Sequence, residues 1–296
     1  MLESLFYKKI EYIKKPIQIF KRLYWPFLKD TTNIKCHLPW GLSLLVDPNQ
    51  TIGKAIYTLG VYDLILTETI HRIISTGDNV FDVGANIGYI TNLMAYKCGA
   101  NGKVYSYEPH PYLVDEYLLK NIQLLRDAGY SNVEFFPYAL SDVDGEGILN
   151  IPSGFENNNG IATLEHKGEA VRCTIPVILR KLDSLISLDK SFKLLKIDVE
   201  GHEYSVFKGA KTLLTSGVIK NVIYEEHLGI NSKASQYLKS LGYTIYKLNR
   251  SKYGVAICNP DDSRLDISYE VVNYLATKEP EFIQDAFSNK GWNIYK

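Results

Sequence analysis

The stretch Asn79-Val80-Phe81-Asp82-Val83-Gly84-Ala85-Asn86-Ile87-Gly88-Tyr89-Ile90 constrains this chain more than any other. It reads as a short apolar strand, a glycine-bearing turn and the start of a helix. In an open α/β sheet such a unit meets a nucleotide-like ligand at the carboxyl ends of the strands, against a helix N-terminus. A dinucleotide fingerprint would run G-x-G-x-x-G, but here Asp82 holds the first position and the pattern is D-x-G-x-N-x-G. Gly84 and Gly88 admit a ligand close to the backbone because no Cβ intervenes. A carboxylate at Asp82 opposes a pyrophosphate and suits a cation. S-adenosylmethionine (SAM) carries a sulfonium and an α-ammonium and has no phosphate, so this stretch favours a SAM site over a dinucleotide site. Two glycines also suffice for an ordinary strand-turn-helix, so the assignment needs other residues.

Those residues lie at later strand ends. Lys103 to Tyr107 reads as the next strand, with Glu108 and then Pro109 at its exit. An acidic residue in that place binds ribose hydroxyls in doubly wound sheets. After a strand at Val133 to Phe136 comes Tyr138-Ala139-Leu140-Ser141-Asp142. The Ser141-Asp142 pair is placed to meet an adenine ring, with Asp142 accepting from its exocyclic amine; an Asx turn into Asp144-Gly145 is the alternative. Leu194 to Glu203 is an apolar strand that empties into Asp198, Glu200, His202 and Glu203. Four such groups are too many to bury unpartnered, so some contact ligand, water or each other. One glutamate is expected to favour the following helix N-terminus. Val222 to His227 is another strand ending in Glu225, Glu226 and His227.

The rest of the chain sorts into three parts. Residues 1–59 read as an N-terminal helix followed by a small β-rich extension, strand-like from Thr31 to Thr58 with a turn at Asp47-Pro48-Asn49. Residues 60–260 form the core, and residues 261–296 a mixed C-terminal tail. Within the core, Val61 to Ile74 shares one apolar helical face, and Pro111 opens a long amphipathic helix. Ile148 to Ile151 pairs with Val171 to Ile178, and a helix runs from Ala234 to Leu241. Tyr243 to Leu248 and Gly254 to Cys258 read as a terminal antiparallel pair. In residues 1–29, Leu2, Leu5, Phe6, Ile10, Ile13, Ile17, Phe20 and Tyr24 recur at helical spacing, interleaved with lysines and Arg22 and broken at Pro16. Two readings stay open for this segment: packing on the main domain or on a second copy, or lying on an anionic membrane surface.

Composition narrows the class. A formal net charge of +0, with 46% hydrophobic and 22% charged residues, is that of a globular protein without the basic bias of nucleic-acid binders. Cys36, Cys98, Cys173 and Cys258 lie far apart with no C-x-x-C pair, and read as buried thiols in a reducing compartment. No apolar run reaches the roughly 20 residues that span a bilayer, and lysines interrupt any secretory leader. The expected location is therefore the cytoplasm, with the inner face of the membrane as a second site if residues 1–29 bind lipid.

The motifs Phe81-Asp82-Val83-Gly84-Ala85-Asn86-Ile87-Gly88-Tyr89, Tyr107-Glu108-Pro109, Ala139-Leu140-Ser141-Asp142 and Lys196-Ile197-Asp198-Val199-Glu200-Gly201-His202-Glu203 together resemble the FkbM family of SAM-dependent methyltransferases, from about Gly60 to about Gly242. The first motif is common to many class I methyltransferases. The last, continued by Phe207-Lys208-Gly209-Ala210, is the specific one. The resemblance implies a Rossmann-like sheet of seven strands, the last antiparallel, with helices on both faces. It also implies SAM as methyl donor and a hydroxyl on a sugar, glycan, glycolipid or secondary metabolite as acceptor. Asp63 stands after Tyr62 where the family pattern has Glu, which shortens that acid's reach.

On this reading SAM is held by Asp82, Gly84, Ala85, Asn86, Gly88, Glu108, Pro109, Ala139, Ser141, Asp142 and Asp198. The base that takes the hydroxyl proton is sought among His202, Glu200, Asp198 and Glu226. The acid and histidine spacing matches no metal signature. Three rivals remain. A nucleic-acid or protein methyltransferase would carry a proline-rich N/D-P-P-Y loop where this chain has Asp198-Val199-Glu200-Gly201. A NAD-binding oxidoreductase is opposed by Asp82. A non-catalytic binding protein that kept the fold would fail to bind SAM.

Overall fold

The computed structural model describes residues 10–28, 31–155, 157–165, 171–226, 228–251, 253–261 and 272–296. A two-stranded ribbon comes first, β1 (Ile34–His37) with β2 (Ser43–Val46). The main sheet opens with β3 (Asn79–Val83), β4 (Lys103–Tyr107) and β5 (Val133–Phe136). A separate three-stranded sheet comes next, built of β6 (Tyr138–Leu140), β7 (Gly145–Pro152) and β8 (Val171–Arg180). The main sheet resumes with β9 (Phe192–Ile197), β10 (Ile219–Glu225), β11 (Thr244–Ser251), β12 (Gly254–Cys258) and β13 (Asn273–Thr277). Its spatial order is β12-β11-β13-β10-β9-β3-β4-β5.

Chemistry explains why the centre of this sheet is parallel and the margin is not. β3 and β9 are buried on both faces, as parallel strands covered by helices must be, and the charged residues buried between them, Asp82 and Lys196, pair with each other. Their side chains alternate between two apolar layers. Val80 and Leu194 point into the layer of Ile70, Leu93 and Met94, while Phe81 and Leu195 point into that of Phe192, Phe207 and Leu214. The chain winds outward from β3 to β5 on one side and from β9 to β10 on the other. The strand order therefore reverses between β3 and β9, which is where ligands bind in open α/β sheets.

Several expectations change at the margins. The main sheet has eight strands among the described residues, not seven. β11 and β12 do pair antiparallel. The strand inserted between β10 and β11, however, is β13, antiparallel to both and drawn from the expected tail. A core boundary at residue 260 thus cuts through the sheet. Residues beyond β13 are fastened too. The buried pair Glu68–Arg72, 2.7 Å apart on helix Leu64–Ile73, directs its remaining hydrogen bonds to this segment. Arg72 donates to the carbonyls of Ala286, Asn289 and Gly291, and Glu68 accepts from the backbone N–H of Asn293 and Ile294.

Thr51–Leu59 is a helix, where the sequence pattern reads as strand. Ile52 and Ile56 recur at i and i+4 and are buried, and Gly60 closes the helix at φ 85°. Helices Ile10–Lys14 and Ile17–Tyr24 are separated at Lys15-Pro16, as proline requires. The hairpin of β7 with β8 holds the expected residues. Cys36 and Cys98 are buried, but Cys173 is exposed on β8, so the four thiols are not uniformly core residues.

Candidate active site

At the β3/β9 reversal a cavity of about 210 Å³ opens. The loop after β3 forms one wall. Gly84 sits at φ +74°, and a Cβ there would fall 1.9 Å from the Asp198 carbonyl oxygen, so only glycine lets the β3 and β9 exits lie side by side. The backbone N–H groups of Gly84 and Ala85 both donate to the Tyr107 carbonyl at 3.0 Å, drawing the β4 exit into the same wall. Asn86, at φ 53°, donates its N–H to Glu108 Oε2 at 2.8 Å. Gly88 heads the helix Tyr89–Cys98 and is not on the wall. Its φ is +86°, and a Cβ there would stand 2.8 Å from a Leu118 methyl, which makes it a packing residue.

Glu108 lies on the wall with Pro109 and is buried. Its second oxygen accepts from the His110 N–H at 2.9 Å. Burial pushes its carboxyl up to about 7, against the pull of these two amide bonds. Beyond it the wall turns apolar, with Leu113, Tyr138, Ala139 and Leu140. Ser141 and Asp142 are not on the wall. Asp142 is ion-paired with Lys208, which holds its carboxyl below the usual range.

Asp82, expected at the mouth, is sealed beneath the loop at 0% exposure. It accepts from Thr91 Oγ1 at 2.6 Å and stands 3.2 Å from Lys196 Nζ. Lys196 is opposite Asp82 in the β3/β9 register and itself lines the cavity. Its ammonium also donates to the Gly84 carbonyl at 2.8 Å and lies 3.8 Å from Asp198 Oδ2. Burial works against the charge, but Asp82 and Asp198 outweigh it and hold the ammonium above its ordinary range. Asp82 is therefore the anchor of a buried lysine that braces both strand exits.

A further part of the cavity wall is acidic. Asp198, Glu200 and Glu225 line it beside Tyr62. Burial raises Glu225 to about 9, helped by the charges of Asp198, Glu200, Glu203 and Asp63. Tyr62 is raised by burial and then by Asp198, Asp63, Glu225 and Glu200. Burial is the main cause of both shifts, and several of the same carboxylates add to each. Glu200 is held at φ 55°, a conformation that is uncommon outside glycine. Glu226 is off the wall and accepts from the Leu228 N–H at 2.8 Å, while His227 lies outside the described residues. Asp63 caps helix Leu64–Ile73 by accepting from the Leu66 N–H at 2.9 Å. Glu203 is the glutamate that satisfies backbone, accepting from Val199 and Gly201 at 3.3 and 3.1 Å. It serves the loop ahead of its helix.

His202 lines the cavity with both ring nitrogens engaged. Nδ1 is 2.6 Å from Glu165 Oε1 and Nε2 is 2.9 Å from Ser141 Oγ. A carboxylate only accepts, so Nδ1 carries the proton and Nε2 of the neutral ring is the basic atom. Thr163 Oγ1 donates to the Glu200 carbonyl at 2.9 Å and accepts from the Glu165 N–H, stitching the β7–β8 loop onto the acid loop. Lys196 and Glu165 were not among the sequence candidates. Lys196 was legible, because it sits two residues before Asp198 on a strand and so shares its face. Glu165 was not, because nothing local ties the Asn-rich loop to β9. Among the described residues no cluster of three or more His, Cys, Asp or Glu is arranged to hold a metal ion.

The sheet is parallel at its centre, reverses at this cavity and carries antiparallel β13 next to β10, the class I methyltransferase layout that the sequence motifs imply. More narrowly, the chain belongs to the FkbM methyltransferase family: the profile described as Methyltransferase FkbM domain matches residues 82–245. The hexuronic acid methyltransferase AglP of Haloferax volcanii is 33% identical over 180 residues, which cover 59% of this chain and 68% of that protein. A solved FkbM methyltransferase from Methylobacillus flagellatus superposes with a TM-score of 0.41 at 16% identity over 69% of this chain, which spans about half (47%) of that protein. Aeropyrum pernix fibrillarin, solved with natively bound S-adenosyl-L-methionine, superposes with a TM-score of 0.39 at 13% identity, covering 72% of this chain and 74% of that one.

Proposed function

We propose that this protein transfers a methyl group from SAM to a hydroxyl of a sugar. The observation that carries the reading is what lines the cavity: a buried hydrogen-bonding carboxylate, Glu108, the acids Asp198, Glu200 and Glu225, and His202, an imidazole oriented by Glu165. The residues present fit SAM. Glu108 suits ribose hydroxyls, the Leu113–Tyr138–Leu140 wall suits adenine, and Asp198 with its acidic neighbours suits a ligand bearing two positive charges. When bound, SAM supplies an electrophilic methyl on a sulfonium.

The chain's own task is then to position the acceptor and take its proton. His202 Nε2 is the base of choice. Glu165 behind Nδ1 fixes the tautomer and stabilises the imidazolium that forms. Ser141 Oγ, 2.9 Å from Nε2 and itself off the cavity wall, would relay the proton between the acceptor hydroxyl and the ring. The acidic wall favours a neutral hydroxyl acceptor over nucleic acid, whose phosphates it repels. The likeness to AglP, a hexuronic acid methyltransferase, supports the same acceptor class.

Incubating the protein with methyl-labelled SAM and separated glycans, lipids and RNA tests the reading. Label is expected in the glycan or glycolipid fraction, as a methyl ether. Label in RNA or protein alone would favour the rival acceptor.

A further inference from the structure

The N-terminal helices are packed the wrong way round for a core element. In Ile17–Tyr24 the buried residue is polar: Gln18 is 3% exposed and lies against Gly60. In Ile10–Lys14 it is charged: Glu11 is buried and accepts from Arg250 at 2.9 and 3.0 Å. The apolar side chains face outward instead. Ile13, Ile17, Phe20, Tyr24 and Phe27 recur at spacings of three and four, and Phe20, Leu23 and Phe27 are 68%, 68% and 78% exposed. Scattered exposed apolar residues are ordinary, but a contiguous stripe of this kind marks an interaction surface.

Polar bonds hold the segment in that orientation. Trp25 Nε1 donates to the Pro48 carbonyl at 2.8 Å with Lys54 Nζ 3.7 Å above its ring. Together with Glu11–Arg250 these contacts fix the inner face, so the stripe cannot simply turn in. Within residues 10–28 the outward charge has one sign. Glu11, the acid of residues 10–28, is turned inward, while Lys14 and Arg22 are exposed and Lys15 and Lys21 half-buried at the stripe's border.

We propose that this face docks on an anionic lipid surface, with the apolar stripe entering the headgroup boundary and the basic residues meeting lipid phosphates. Charge complementarity decides the occupant. A second copy would bring Lys14, Lys15, Lys21 and Arg22 against their own equivalents, whereas anionic headgroups neutralise them. No helix among the described residues is long and apolar enough to cross a membrane, so the attachment is to one face. The docking helix packs on Thr51–Leu59, whose Ile52 lines the catalytic cavity, so the lipid surface would lie one helix from the site.

Co-sedimentation of the full chain with vesicles tests this. The chain should pellet with phosphatidylcholine–phosphatidylglycerol vesicles, less so at high salt, and remain in the supernatant with phosphatidylcholine alone. Phe20→Ser, Leu23→Ser and Phe27→Ser together should lower that partition by about tenfold or more. Lys14→Glu with Arg22→Glu should weaken it too. All five side chains are exposed, so an unchanged thermal melt is expected of both variants. Failure to pellet with either vesicle would overturn the proposal. So would a lipid-free dimer, seen by sedimentation equilibrium, that the triple variant makes monomeric, because the occupant would then be a second copy. The assay reads lipid binding alone, so its failure leaves the methyl-transfer reading untouched.

Discussion

Glu225 is a carboxyl displaced far from its ordinary range by its surroundings. Burial and neighbouring acids raise it to about 9, and burial raises Glu108 to about 7. A carboxyl raised on folding keeps its proton in the folded state while the unfolded chain loses it. Its contribution to stability is thus full below the ordinary glutamate range and lost as pH rises through the folded value. The ligand-free protein should melt at a lower temperature near pH 9 than near pH 5, and Glu225→Gln should flatten that slope. Calorimetry should show the opposite trend for SAM. A cationic ligand favours ionised Glu225, so affinity should rise with pH in the parent chain and change less in Glu225→Gln. Glu108→Ala should weaken SAM binding roughly ten- to a hundredfold, as expected for losing hydrogen bonds to a charged group of about 1.5–3 kcal/mol. Unchanged affinity would remove Glu108 from the site. At this scale the sequence was informative where a residue ended a strand. Glu108, Asp198 and Glu200, read from strand ends, all line the cavity. Asp82 was misplaced because its partner Lys196 lies over a hundred residues away and turns it inward.

The elements that build the site are the β3 and β9 exits, and their approach depends on one backbone conformation. Gly84→Ala puts a methyl at a positive φ and against the Asp198 carbonyl. It should cost about 2 kcal/mol or more, seen as a lower melting temperature together with lost SAM binding; a variant that melts and binds like the parent would show that the two exits need not touch. Glycine turns, strand exits and the break at Pro16 were legible because the cause is local. The helix Thr51–Leu59 was hidden by its β-branched, strand-like composition, and tertiary packing of Ile52 and Ile56 decided it. The β7–β8 loop was legible as a long connection, but its docking on the acid loop through Thr163 and Glu165 was not.

At the scale of the whole molecule, the C-terminal residues return to the core. β13 completes the sheet between β10 and β11, and Glu68–Arg72 pins the residues beyond it. A chain ended after residue 260 would leave β10 and β11 as open edges, and should be insoluble or lack a cooperative melt. A well-behaved truncation would show that β13 is dispensable. The FkbM match stops at residue 245, so nothing in the shared motifs announced this strand. On the proposed function, one cavity divides into a donor end at Glu108 and an acceptor end at His202. Steady-state kinetics with the acceptor fraction identified by labelling tests that division most directly. Glu108→Ala should raise KM for SAM, while His202→Ala and Glu165→Gln should lower kcat with KM for SAM little changed. If His202→Ala keeps the parent kcat, or if both substitutions act on KM for SAM alone, the division of the cavity is wrong.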